Sequence, residues 1–225
     1  MSNKRRRLGD SKFHYFPTYD EIIEMVNVSK ILLELKQSDI TYIKKYIIDN
    51  IKNMSFKKLS YIVSKYKLTY NFTDSNGNSL LTLACIDNND DIYISLLEYK
   101  LNDPGHKNNK GYSVLHYIAY YSKSEYLIIY STHCNIFDCI SYDEETPLHI
   151  ACKYSTTRFI FILINLIKNL NPLYDNKTPV AIALENDRKD VVSIIVNHRL
   201  FNINDINDID LVKKLNDFKI SKPKK

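Results

Sequence analysis

Four cysteines, a pair of histidines in matching contexts and several carboxylate doublets are the residues of this 225-residue chain that could do chemistry. Cys85, Cys134, Cys139 and Cys152 are too few for a disulfide scaffold at this length. His133, Cys134 and Cys139 fall in one region, but no second Cys-x-x-Cys or His pair completes four zinc ligands, so no metal is expected. Cys85 and Cys152 each follow an alanine in equivalent surroundings, which predicts small buried side chains. His116 and His149 could be ligands or general bases, yet they also share one recurring position. Glu144-Glu145 and Asp90-Asp91 fall in predicted turns or helix starts and read as solvated faces or caps. A Gly-x-Ser-x-Gly elbow, a phosphate loop, a His-Glu-x-x-His pair and a dinucleotide-binding fingerprint are all missing. Neither catalysis nor a cofactor is expected.

The elements that carry these residues repeat. Four segments align without gaps: Gly77 to Cys85, Gly111 to Ala119, Glu144 to Cys152 and Asn176 to Leu184. The equivalent positions Leu81, Leu115, Leu148 and Val180 are separated by 34, 33 and 32 residues. Thr146 and Thr178 are suited to cap a helix through the side-chain oxygen, and Pro147 and Pro179 suit a first helical position, which needs no amide hydrogen. Ser79 and Ser113 can cap in the same way. Leu148 with Ala151, and Val180 with Ala183, then share one face, the alanine allowing close approach of a neighbouring helix. A second apolar run of helical spacing follows each first helix, as in Tyr93, Ile94, Leu96 and Leu97 or Phe159, Ile160, Leu163 and Ile164. Polar Asn- and Asp-rich turns close each unit. Gly77 and Gly111 can take positive φ without strain and Asn176 tolerates it, whereas Glu144 departs from the pattern, so a distorted turn is expected there.

Of the net charge of +5, residues 1–12 hold +4 and residues 219–225 another +4, which leaves 13–218 at −3. A folded surface that binds nucleic acid is usually basic, so direct nucleic-acid binding by the folded region is not expected. Lys4, Arg5, Arg6 and Arg7 are either a nuclear-localisation run or a solvated tail. The longest apolar stretch, Phe159 to Ile167, is interrupted by Asn165 and falls short of the roughly 20 residues that span a bilayer. The basic amino terminus is followed by no apolar signal core. An intracellular protein of cytoplasm or nucleus, with no membrane association, is the expectation.

The period and the full match of Thr146-Pro147-Leu148-His149-Ile150-Ala151 to a Thr-Pro-Leu-His-x-Ala core resemble the ankyrin repeat. The resemblance implies an all-α solenoid of helix pairs with short hairpin-like turns. It also implies that His116 and His149 are structural, joining the inner helix to the adjoining turn. The domain reading is a disordered basic tail over 1–12 and, over 13–70, a helical cap (Tyr19 to Leu35) with a degenerate repeat (38–70). Four repeats at about 74–107, 108–140, 141–172 and 173–205 follow, and a closing helix (Ile209 to Phe218) with a basic tail ends the chain at 206–225.

Such a stack exposes turn tips and one side of its inner helices, so its accessible chemistry is surface recognition. The candidate protein-binding residues at the tips are Asn76, Lys110, Asp143, Glu144 and Asn176. Behind them stand Asn88, Asn89, Tyr120, Tyr121, Lys153, Tyr154 and Glu185. Among ankyrin proteins, the degenerate repeats and Ile/Asn/Lys/Tyr-rich composition resemble the short inhibitor-of-kappa-B-like proteins of polydnaviruses and poxviruses. That resemblance implies binding of a Rel/NF-kappa-B factor and suppression of host immune signalling; separately, the chain is expected to be a monomer. An ankyrin scaffold or adaptor with some other protein partner is the alternative. Asp74-Ser75-Asn76-Gly77-Asn78-Ser79 places its glycine one position late for the phosphodegron of the cellular inhibitors.

Overall fold

The computed structural model describes residues 40–134 and 139–220, with side chains through Asn216. The basic run Lys4 to Arg7, the expected cap over Tyr19 to Leu35 and the tail at 222–225 lie outside the described residues. Residues 1–43 and 44–225 form two compact units. Of the first, residues 40–43 are described, as the first turn of helix α1.

Helix pairs follow one another along the second unit. The order is α1 (Ile40–Asn50), a 3-10 turn (Ile51–Asn53), α2 (Phe56–Lys65), α3 (Leu80–Ile86), α4 (Asp90–Glu98), α5 (Val114–Tyr120), α6 (Ser124–His133), α7 (Pro147–Tyr154), α8 (Thr157–Ile164), α9 (Pro179–Glu185), α10 (Lys189–Val196), a 3-10 turn (Ile203–Asp205) and α11 (Ile209–Ile220). Among the described residues there are no strands, only two isolated bridges, Thr73 with Ser79 and Tyr174 with Lys177.

The predicted caps start the inner helices. Ser79 Oγ accepts from the Thr82 amide at 3.3 Å, Thr146 Oγ1 from that of His149 at 3.4 Å and Thr178 Oγ1 from that of Ala181 at 3.3 Å. Pro147 and Pro179 occupy the first helical position behind their threonines. Each short helix therefore has an end whose orphan amides are partly satisfied locally.

Helices of seven or eight residues are not stable alone, and packing supplies what propensity cannot. The first helices of successive pairs, α3, α5, α7 and α9, lie side by side in one row, and α2, α4, α6, α8 and α10 form a second row, closed by α11 against α10. Ala84, Ala119, Ala151 and Ala183 are completely buried in the first row, together with Leu81, Leu115 and Val180, and Leu148 is nearly so. Within the second row, Tyr93 of α4 and Tyr126 of α6 stack at 4.2 Å, and the Tyr93 hydroxyl donates to the Tyr126 carbonyl at 3.2 Å. Leu211 and Leu215 of α11 are buried at the end of the stack.

The turns between pairs share one hydrogen-bond plan. In the first three, the amides of Asp74, Asn108 and Ser141 donate to the carbonyls four residues on, those of Asn78, Tyr112 and Glu145, at 2.9–3.1 Å. Gly77, Gly111 and Glu144 sit at φ +79°, +80° and +65°. Glu144 thus corrects the expectation of a distorted turn: it adopts the same left-handed conformation, and its amide donates to Ser141 as that of Gly111 does to Asn108. The departure falls on the fourth turn, where the Tyr174 amide reaches the Lys177 carbonyl only three residues on, with both Asp175 and Asn176 at positive φ. The loop there is one residue shorter, in line with the interval of 32.

Glycine is required where tips touch. The Asn109 amide donates to the Asn76 carbonyl and that of Tyr142 to the Lys110 carbonyl, which brings each tip onto the next. A Cβ on Gly77 would collide with Asn109, and one on Gly111 with the Tyr142 backbone. Gly111→Ala adds this collision to the left-handed penalty of about 1–2 kcal/mol and is expected to destabilise the fold by about 2 kcal/mol or more. Glu144→Gly, at a position that already carries a side chain, is expected to change stability by less than about 1 kcal/mol. Urea unfolding of the two variants checks the contrast.

Candidate functional site

The two histidines are bound into the scaffold. His116 Nδ1 accepts from the Ser113 amide at 3.1 Å and its Nε2 lies 3.1 Å from the Glu145 carbonyl in the next turn. His149 repeats the arrangement, with the Thr146 amide at 3.2 Å and the Lys177 carbonyl at 3.2 Å. Each ring closes a capping box at its own helix start and ties that helix to the following unit. Because Nδ1 accepts and Nε2 faces a carbonyl, the geometry fits the neutral ring protonated on Nε2. Burial lowers both pKa values to about 4, against the backbone hydrogen bonds that pull the other way.

The cysteines are set for packing. Burial pushes the Cys85 thiol up to about 12 and the Cys134 thiol up to about 11, and raises that of Cys152 as well. The thiolate that a nucleophile or metal ligand requires is disfavoured at each. Cys139 Sγ receives the Ser113 hydroxyl at 3.3 Å. Among the described residues, no group of three or more His, Cys, Asp or Glu is placed to hold a metal ion.

A groove of about 490 Å³ opens between the turn tips and the exposed sides of α5 and α7. Its floor is Tyr112, Tyr117 and Ile150, and its outer wall is Tyr120, Tyr121 and Tyr154. The Tyr120 ring meets that of Tyr121 edge-on at 5.0 Å and that of Tyr154 at 5.0 Å with a 59° tilt. Half of each outer tyrosine is solvent-exposed: Tyr120 50%, Tyr121 45% and Tyr154 51%. Below them the polar groups are mutually satisfied. Asn108 Nδ2 donates to Asn78 Oδ1 at 2.9 Å and to the Tyr117 hydroxyl at 2.8 Å, while the Tyr117 hydroxyl donates to Asn78 Oδ1 at 3.1 Å. The Tyr112 hydroxyl donates to Glu145 Oε2 at 2.7 Å. Desolvation and, for Tyr112, the Glu145 carboxylate raise both phenol pKa values, which keeps the floor protonated.

The groove brings together five of the candidate residues, Asn76, Lys110, Tyr120, Tyr121 and Tyr154. Asp143, Glu144 and Lys153 are exposed on the same two units outside its lining, with the Lys153 ammonium 5.0 Å over the Tyr154 ring. Asn88, in the turn between α3 and α4, and Asn176, at the last tip, are exposed elsewhere. Glu185 is also away from the groove and pairs with Lys177 at 3.0 Å. Asn89 requires correction as a binding residue: it is buried, its Oδ1 caps α4 through the Ile92 amide, and its Nδ2 donates to the carbonyls of Ile51 and Met54 at 2.7 Å. Its role is to tie α4 to the preceding unit.

Sequence reasoning missed Tyr117, although its spacing from Tyr120 and Tyr121, three and four residues on, places all three on one helical face. It also missed Asn78 and Asn108, whose contact spans 30 residues of chain and leaves no local mark.

The match to known proteins agrees with the geometry. Residues 125–210 fit the family model for ankyrin repeats, in 3 copies. These are ankyrin repeats. No curated protein matches the chain. The fold is an all-α ankyrin solenoid, and the matched stretch runs from α6 to the first residues of α11, so α7 and its half of the groove lie within it. Ankyrin repeats are non-enzymatic binding scaffolds that act on protein partners. Among the described residues, no helix is long and apolar enough to cross a membrane.

The buried histidines give these ankyrin units a pH signature. With a folded pKa near 4 against about 6.5 unfolded, the unfolded chain takes up protons that the folded chain refuses. Their contribution is full above about pH 6.5 and is lost as pH falls through about 4, on the order of 3 kcal/mol per histidine. Gln can close a capping box without titrating in this range. His116→Gln and His149→Gln are therefore expected to flatten the dependence of the urea midpoint on pH between 6.5 and 4. An unchanged slope in the double variant would assign the pH dependence to other groups.

Proposed function

We propose that this chain is a non-catalytic protein-binding ankyrin module that engages its partner through the tyrosine-walled groove on α5 and α7. The carrying observation is the cluster of Tyr120, Tyr121 and Tyr154, half exposed over a floor whose polar groups already have partners. Tyrosine offers large contact area at low conformational cost and is enriched where interface energy concentrates. Asn78 needs no reorganisation to receive a partner, since its side-chain amide is already bonded to Asp74, Asn108 and Tyr117.

For the partner, we propose a Rel/NF-kappa-B factor, held in a stoichiometric complex that suppresses host immune transcription, with the chain acting in cytoplasm or nucleus. What supports this finer reading is the resemblance of the repeat array and its Ile/Asn/Lys/Tyr-rich composition to the viral inhibitor-of-kappa-B-like proteins. A purified Rel homology domain titrated with the full chain is expected to bind, with Tyr120→Ala and Tyr154→Ala each weakening the complex about tenfold or more and leaving the circular dichroism unchanged. Binding that these variants leave intact would move the interface off the groove. A Rel domain that does not bind at all would leave the general scaffold reading, to be followed by affinity purification of partners from host cells.

A further inference from the structure

Of the asparagines in this chain, Asn76 alone is followed by glycine. The pair forms the first turn tip, and Asn76 lines the groove there. The neighbouring carboxamides are committed: that of Asn78 to Asp74, Asn108 and Tyr117, and that of Asn109 to the Ser75 carbonyl at 3.1 Å. Asn76 is exposed, and among the described residues no protein group bonds its carboxamide. Two contacts act on the peptide bond that joins it to Gly77. The Asn76 carbonyl accepts from the Asn109 amide at 3.0 Å, and the Gly77 amide donates to the Asp74 carbonyl at 3.0 Å. Gly77 itself sits at φ +79° and carries no Cβ beside its nitrogen.

An asparagine side chain and the backbone nitrogen that follows it can close a five-membered ring. The Gly77 nitrogen gives its proton to solvent base and attacks Asn76 Cγ. The new N–C bond forms as the Cγ–Nδ2 bond breaks, and the leaving nitrogen takes up a proton and departs as ammonia. Water then opens the succinimide at one carbonyl to give aspartate, or at the other to give isoaspartate, in which the main chain runs through the former side chain. Water is the only other reactant. Glycine favours the first step, because no side chain crowds the approach to its nitrogen. The Asn109 amide favours it as well: charge that develops on the Gly77 nitrogen spreads onto the Asn76 oxygen, where a fixed donor already points. The Asp74 carbonyl opposes it, since the nitrogen must leave that acceptor before it can turn onto Cγ. The reaction therefore runs through a local opening that releases this one bond. We infer that Asn76 is a site of spontaneous deamidation through a succinimide with Gly77, and that its isoaspartate form detaches the first turn tip from the second. The detachment follows from chain length. Isoaspartate adds one carbon to the main chain between Ser75 and Gly77, whereas the amide and carboxamide of Asn109 hold the carbonyls of Asn76 and Ser75 at one fixed spacing. Asp74 Oδ1, which receives the amides of Asn76 and Asn78 at 2.9 and 2.7 Å, spans the same lengthened stretch. The inference does not depend on what the groove binds.

The test incubates the full chain in heavy-oxygen water at mildly alkaline pH, then digests it in ordinary water and maps the peptides by mass. Asn76 is expected to convert before every other asparagine of the folded chain, with a heavy oxygen fixed in its peptide and with labelling by an isoaspartyl methyltransferase. Asn76→Gln, which would need a six-membered ring, should lose both signals. The chain unfolded in urea should convert several-fold faster at Asn76, which measures the hold of the Asp74 carbonyl. After separation from unreacted chain by charge, the isoaspartate form should unfold at lower urea than Asn76→Asp, which carries the same charge on a main chain of ordinary length. First conversion at another asparagine, or a folded chain whose Asn76 stays intact throughout, would overturn the site. Equal urea midpoints for the isoaspartate form and Asn76→Asp would overturn the detachment.

Discussion

Close approach of neighbouring inner helices is the constraint on which the rest of this structure depends. A helix of seven or eight residues buries too little surface to persist alone, so α3, α5, α7 and α9 exist only because each finds the next at short range. Alanine at 84, 119, 151 and 183 sets that range, since a larger side chain would hold the row apart. Once the helices are that near, the turns at their ends are brought into register as well. This is why the His116 ring reaches the Glu145 carbonyl, why Asn89 reaches Ile51 and Met54, and why a tip amide such as that of Tyr142 finds the carbonyl of Lys110. The polar network follows from the apolar spacing and adds direction to it: buried donors and acceptors with one satisfactory partner fix the relative slide of adjacent units.

The groove is a by-product of the same spacing. Inner-helix residues at the position of Tyr117 and Ile150 point away from the second row, toward the side on which the turn tips project. In the first and last of the four units, Leu83 and Ile182 occupy that position and are buried. In the middle two units, large tyrosines follow it at 120, 121 and 154, and they project beyond the neighbours that could cover them. The face therefore changes character along the stack, polar at Asp87, Glu185 and Asn186 in the flanking units and aromatic in the middle. The Asn78–Asn108–Tyr117 set beneath, with both asparagines buried, holds the floor still, which lowers the ordering cost that any occupant must meet.

How much of this was legible in the chain divides by range. The inner-helix starts were readable from single residues, because Thr146-Pro147 and Thr178-Pro179 act on amides two or three positions away. The structural use of His116 and His149 was readable through the family resemblance, as both bind at their own helix start and at the next turn. Glu144 misled because residue type was taken to decide a backbone conformation that the Ser141–Glu145 hydrogen bond in fact enforces. Asn89 misled for a related reason: a polar residue in a polar turn suggests exposure, and nothing nearby reveals that carbonyls 35 and 38 residues earlier will need its amide. Of the groove, the exposed wall was anticipated at Tyr120, Tyr121 and Tyr154, whereas its floor depends on contacts between turns a full period apart.

The difference between those two kinds of residue bears on how such a protein changes. A floor residue such as Asn108 has at least four hydrogen bonds committed, to Asn78, Tyr117, Lys110 and Tyr112, so replacing it strands several buried partners at once. A wall residue such as Tyr120 contributes ring contacts at 5.0 Å and little else to the fold. Substitution at the wall alters what the groove accepts without loosening the stack. Substitution at the floor loosens the stack before it alters recognition. Binding preference in this scaffold is thereby separable from stability, because the rows of buried alanine and leucine carry the fold while the tyrosines stand on it.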